Sequence, residues 1–221
     1  MLKPHFIQKL KEHNLMSKPV RNIVFDLGNV IINIDPDLTI HKFKDLGVAN
    51  FDDFYNIMRQ TDVFNLLDTG KISLPEFRQT IRDYSLKNLS DAQIDDAWCA
   101  MLLDFPEENI VLLQKLKNEG YKLFLLSNTN EMHIEYYTKY LKQQFGRDLL
   151  TELFDRVFYS HEIGYRKPNR EAYEYVLKVE NLKPAETLFI DDLEHNVIAA
   201  RQTGMQAYHH RKGDSIIDLF V

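Results

Sequence analysis

Five short runs of hydrophobic residues punctuate the chain, and each ends in a small or polar residue. They are NIVFD (22–26), YKLFLLSN (121–128), RVFYS (156–160), TLFIDD (187–192) and MQAYHH (205–210). Each has the length and the β-forming composition of a strand. Between most of them the pattern shifts to a helical period. PEENIVLLQKLKNEG (106–120) opens with Pro106 and two glutamates, carries Ile110, Leu113 and Leu116 on one face, and stops at Gly120. NREAYEYVLKVEN (169–181) and LEHNVIAARQTG (193–204) have the same look, the second closing on Gly204. Strand and helix in alternation predict an α/β fold: a parallel sheet with helices on both faces.

Residues 36–104 break the alternation, with several helical patterns and no convincing strand. Ser73 with Glu76 and Ser90 with Gln93 fit capping boxes. Phe43, Phe51, Phe54, Tyr55, Phe64, Phe77, Tyr84 and Trp98 are expected to form the core of this helical insert and its packing against the sheet. Asp35 and Asp37, flanking Pro36, mark the exit into it. LDTGKISLPEF (67–77) faintly resembles a calcium loop, but Asp68 lacks the further acids before Gly70, and a turn into a capped helix is expected instead. The resulting division is an α/β core (20–35 and 105–221), a helical cap (36–104) and an N-terminal extension (1–19). That extension alternates charge and hydrophobe and lacks the apolar core of a signal peptide.

Composition narrows the function classes. A length of 221 residues suits one sizeable domain with a large insert. No apolar stretch approaches a membrane span. The single cysteine, Cys99, excludes an intramolecular disulfide and suits a reducing, cytoplasmic setting. A net charge of −6 argues against nucleic acid or an anionic membrane as partner. An anionic small-molecule substrate would have to meet local cations.

Such a locus is expected beyond the carboxyl ends of the strands, where parallel α/β sheets bind ligands. Asp26, the pair Ser127 and Asn128, and the pair Asp191 and Asp192 all stand at strand ends. Lys167 lies in the loop after RVFYS, with Gly164 before it and Pro168 after it. Singly, these residues read as a turn aspartate, an ordinary turn, a solvated lysine and a helix N-terminus; together those readings need four coincidences. Three clustered carboxylates repel unless protonated or neutralised, and Mg²⁺ is the usual remedy. Asp26, Asp191 and Asp192, with the backbone carbonyl of Gly28, are the expected metal ligands. Ser127 and Lys167 are expected on phosphate oxygens, with Asn128 beside them in the substrate-binding or loop-shaping position. One oxygen of Asp26 would then face phosphorus as a nucleophile. His209 and His210 have no metal-ligand spacing and are expected at the surface.

In order along the chain, VFDLGNV, LLSNTN, GYRKP and FIDDLEHN resemble the four motifs of the haloacid dehalogenase superfamily, over about residues 20 to 210. The resemblance implies a Rossmann-like core, a mobile helical cap and a Mg²⁺-dependent phosphatase working through an aspartyl phosphate. FDLGNVI, LSNTN and RKP look most like the sugar-phosphate phosphatases that act on glucose 1-phosphate. One position departs. Most phosphatases of the superfamily read Asp-x-Asp in the first motif, the second Asp being the general acid/base, and here that position is Gly28. This leaves two rivals: a regulatory or binding protein with weak turnover, and a metal-free haloacid dehalogenase. The paired acids Asp191 and Asp192 argue against the second.

Overall fold

The first hydrophobic run becomes strand β1 (Asn22–Phe25) at the centre of a five-stranded sheet. The structure is a computed structural model and describes residues 19–48 and 63–220. The other runs form β2 (Lys122–Ser127), β3 (Arg156–Tyr159), β4 (Thr187–Asp191) and β5 (Gln206–His209). All pair in parallel, in the order β3-β2-β1-β4-β5. Phe25 stands level with Leu125 on one side and Ile190 on the other, so Asp26 follows the sheet exactly where the strand order reverses.

The segment 36–104, between β1 and β2, holds four helices among the described residues: α1 (Pro36–Asp45), α2 (Val63–Asp68), α3 (Leu74–Asp83) and α4 (Asp91–Cys99). The Asp35 side chain caps α1 by accepting from the Asp37 N–H at 3.1 Å. Ser73 and Ser90 each form a reciprocal capping box, with Glu76 and Gln93, a device that stabilises a helix start by about 1 kcal/mol. Phe43, Phe77, Ile81, Ile94 and Trp98 build a core for this segment, with Phe64 stacked 5.1 Å from the Trp98 ring. Tyr84 departs from expectation: it caps the end of α3, past that helix's buried face, and is 38% exposed. Phe51, Phe54, Tyr55 and residues 1–18 lie outside the described residues. Gly70 makes the expected turn after α2, with φ +66°, and a Cβ there would strike the carbonyl oxygen of His161. The turn thus presses against the α/β core, and only glycine allows that approach.

The remaining helices are α5 (Glu107–Asn118), α6 (Glu131–Phe145), α7 (Leu149–Leu153), α8 (Ser160–Ile163), α9 (Arg170–Val179), α10 (Glu194–Gln202) and α11 (Ile216–Phe220). Alternate strand residues point to opposite faces. Ile23, Phe25, Leu125 and Ile190 pack with side chains of α5, α6, α7 and α11, whereas Val24, Phe124, Leu126 and Phe189 pack with α9 and α10. Burial on both faces is why these strands are apolar throughout. The 15-residue α6 has no counterpart in the sequence expectations. Its Tyr136, Tyr137 and Tyr140 blur the apolar stripe, since only Tyr137 is fully buried. No helix among the described residues is long and apolar enough to cross a membrane.

Candidate active site

Asp26 continues the central ladder one residue past β1, its N–H donating to the Ile190 carbonyl at 2.8 Å. That backbone bond fixes where its carboxylate emerges. Oδ1 accepts from the Leu27 N–H at 2.7 Å and lies 2.7 Å from the Lys167 ammonium. The same ammonium lies 2.7 Å from Asp191 Oδ2, and Lys167 is only 1% exposed. Lys167 therefore bridges the ends of β1 and β4 from beneath the surface.

Asp191 is the last residue of β4 and wholly buried. Its Oδ1 accepts from the Leu193 N–H at 2.8 Å, and the Asn196 amide donates to Oδ1 and Oδ2 at 2.9 and 3.1 Å. Asp192 accepts from Asn29 Nδ2 at 3.1 Å. Asn29 has φ +56°, a left-handed conformation that asparagine tolerates better than most residues. Neither Asn29 nor Asn196 stood out in the sequence. The available signals were their position, each within five residues of an acid at a strand end, and their place inside VFDLGNV and FIDDLEHN.

Charge does not balance here. Burial raises the Asp26 carboxyl to about 7, against the pull of Lys167 and with the push of Asp191 and Asp192. Burial likewise raises Asp192, with Asn29 opposing and Asp191 adding to the rise. Burial pulls the Lys167 ammonium down, but Asp191 and Asp26 outweigh it and hold it above the usual range. One ammonium thus faces three acids, each bringing an oxygen to within 4.8 Å of the others. An all-oxygen set with excess negative charge fits a hard divalent ion such as Mg²⁺.

Ser127, the last residue of β2, is buried and lines a cavity of about 670 Å³ together with Gly28, Asn128 and side chains of the helical segment. Of the two roles expected for Asn128, the structure shows the loop-shaping one. Its Nδ2 donates to the Lys167 carbonyl at 2.8 Å and its Oδ1 accepts from the Lys167 N–H at 2.8 Å. Both ends of the amide are spent holding the backbone of Lys167. His210 also departs from expectation: it is buried, 6% exposed, because the chain leaves β5 with the His210 N–H donating to Asp191 O at 2.9 Å. His209 is half-buried, with Nε2 3.0 Å from the Asp192 carbonyl oxygen. At Gly28 the backbone would accept a side chain, and a Cβ would lie 2.7 Å from the terminal Cδ1 of Ile34, which would have to turn aside.

With this geometry in hand, comparison with known proteins is informative. The haloacid dehalogenase-like hydrolase family matches residues 20–204. A D-ribitol-5-phosphate phosphatase of Bacteroides thetaiotaomicron is 29% identical over 194 residues, 88% of this chain and 93% of that protein. A sesquiterpene phosphatase of Aspergillus oryzae is 30% identical over 202 residues, 84% of this chain and 87% of that protein. The crystal structure of a HAD family enzyme from Bacteroides thetaiotaomicron, in complex with magnesium and inorganic phosphate, is 34% identical with a TM-score of 0.84, covering 91% of this chain and all of that one.

Proposed function

The chain belongs to the haloacid dehalogenase-like hydrolases, and on that premise we propose that it hydrolyses a small phosphomonoester through a phosphorylated Asp26. The observation that carries this reading is the meeting of Asp26, Asp191 and Asp192 around the Lys167 ammonium at the reversal point of the sheet. A sugar phosphate such as glucose 1-phosphate is the substrate proposed from the motifs, and D-ribitol 5-phosphate joins it from the relative's name. Residues 36–104 would act as the cap over the site.

In the first step Asp26 Oδ2, the oxygen not engaged by Leu27 or Lys167, attacks phosphorus in line. The Oδ2–P bond forms, the P–O bond to the leaving group breaks, and the departing oxygen takes a proton from water, since Gly28 offers none. Water then attacks the phosphoryl group, releasing inorganic phosphate and restoring the carboxylate. An ammonium has three N–H donors. Lys167 commits two to Asp26 and Asp191, so the third is available for a phosphoryl oxygen. Ser127 Oγ would hold another, and Asn128 fixes where the ammonium stands. Mg²⁺ would be held by Asp26, Asp192 and the Gly28 carbonyl, with Asp191 in support, and supplies charge neutralisation for the phosphoryl group. Chelation in excess is expected to eliminate turnover of glucose 1-phosphate and D-ribitol 5-phosphate, and Asp192→Ala to raise the Mg²⁺ requirement or eliminate activity. Full activity in chelator would return the metal-free dehalogenase reading.

The lack of a carboxyl at Gly28 favours a second reading, a protein of weak turnover. A positioned general acid/base contributes ~10²–10⁴-fold, and its absence slows both leaving-group departure and hydrolysis of the phosphoenzyme. Aryl phosphates relieve only the first step. Rapid mixing with one is therefore expected to show a burst of phenol release, then slow turnover with phosphoenzyme accumulated. Gly28→Asp combined with Ile34→Ala, which clears the contact, is expected to shrink that burst. Fast turnover of alkyl phosphates without a burst would show that another group already supplies the proton.

A further inference from the structure

The cavity that opens beside Gly28 and Ser127 is also lined by Asp68, Trp98 and Arg166. These come from separate parts of the chain. Asp68 ends α2 and Trp98 lies on α4, while Arg166 immediately precedes Lys167 in the loop after β3. Their polar atoms are poorly matched to one another. Arg166 Nη2 stands 3.7 Å from Asp68 Oδ2, and Asn130 Nδ2 stands 3.4 Å from Asp68 Oδ1, both slack beside the 2.7 Å contacts of Lys167. Trp98 Nε1 and Arg166 Nε are buried with no hydrogen-bond partner among the described residues. An unpaired buried donor is costly, and two on side chains that line one cavity would be relieved by a ligand that reaches them with acceptors. Much of the rest of the wall is apolar: Ile32, Ile34, Ile40, Phe64 and Met101. Apolar side chains with convergent polar groups among them are the usual lining of a small-molecule site.

The chemistry of the three groups separates the classes of leaving group. A purely hydrocarbon group would fill the apolar wall but leave both donors unpaired and the slack Asp68–Arg166 pair unimproved. A second phosphate would satisfy the donors but bring negative charge against the Asp68 carboxylate. A hydroxyl both accepts and donates, and it carries no charge. We propose that Asp68, Trp98 and Arg166 select the leaving group and take an uncharged, polyhydroxylated one, a polyol or sugar. This rests on the phosphatase reading and narrows it. Burial raises the Asp68 carboxyl, while Arg166 and Asn130 hold it back. The neighbouring His133 is pushed by burial down to about 4, so it offers the cavity a neutral ring.

The test compares D-ribitol 5-phosphate with pentyl phosphate, equal in chain length but without hydroxyls, and with pyrophosphate, in the presence of Mg²⁺. Wild-type kcat/KM is expected to favour the polyol ester over both by about 10²-fold or more, since sites built to bond a hydroxyl reject analogues that lack it. Asp68→Asn, Arg166→Lys and Trp98→Phe are each expected to lower the ratio of polyol to pentyl ester by about 10- to 100-fold, mainly through KM. Trp98 also anchors the core of the helical segment, so if Trp98→Phe fails to fold, the other two variants decide. Ratios unchanged in those variants, or a wild-type preference for pentyl phosphate or pyrophosphate, overturn the proposal. If no ester turns over, the phosphatase reading fails. Calorimetry on ribitol 5-phosphate and pentyl phosphate then decides the inference by itself: tighter binding of the hydroxylated ester upholds it, and equal binding overturns it.

Discussion

Asp26→Asn is expected to lower phosphate-ester turnover by about 10⁴-fold or more, because an amide cannot replace the attacking carboxylate. The fold should not suffer. Asparagine keeps an oxygen where Oδ1 accepts from the Leu27 N–H and faces Lys167, and the backbone bond to Ile190 is untouched. The wild-type carboxyl is raised to about 7 because burial disfavours its charge. The ionised form is therefore a cost to the folded state, which a neutral amide removes. A melting temperature unchanged or raised, together with lost activity on glucose 1-phosphate and an aryl phosphate, is the expected pair of results. Turnover within about 100-fold of wild type would assign Asp26 to metal binding or structure and remove the covalent mechanism.

Lys167→Met is expected to abolish activity and also to weaken the fold. The side chain is matched in length, but the ammonium that lies 2.7 Å from both Asp26 and Asp191 is gone. Two buried carboxylates then face each other, and removing one partner of a buried pair costs about 3 kcal/mol or more. For a chain of this size that is a fall in melting temperature of roughly 6–12 °C. Turnover should drop by about 10³-fold or more with loss of the charge facing the phosphoryl group. Millimolar Mg²⁺ should recover part of the stability, since it too neutralises the acids, but not the rate. A variant that melts with wild type and turns over within tenfold would show Lys167 to be a bystander.

Much of this was legible before the structure, for a physical reason. Strands buried on both faces must be apolar throughout, so Ile23, Val24 and Phe25 announce β1, and the polar residue that stops such a run stands where ligands bind. Asp26, Ser127, Asp191 and Asp192 were found in this way, and Lys167 by its place in the next loop. What stayed hidden depends on direction rather than type. Asn128 and Ser127 sit side by side at a strand end, yet only the path of the following loop decides that the asparagine turns to the Lys167 backbone. His210 looks like a terminal polar residue until the chain folds it back beside Asp191. Asp68 and Arg166, 98 positions apart, meet only because the helical segment lies over the strand ends.

The pair of hydrogen bonds between Asn128 and the Lys167 backbone reaches beyond the site itself. Both links run to main-chain atoms, so they hold the loop without regard to which side chains it carries. The ammonium is thus at its post before any ester arrives, and no reorganisation is owed at the moment of reaction. Arg166, one residue earlier, is tied instead through its carbonyl, which accepts from the Asn169 N–H at 2.9 Å, and its side chain reaches Asp68 rather than the sheet. Two neighbouring residues therefore answer to different masters: one is pinned by the sheet, while the other can be exchanged as substrates change. A loop built this way lets selectivity drift over evolutionary time while the reactive geometry stays where it is.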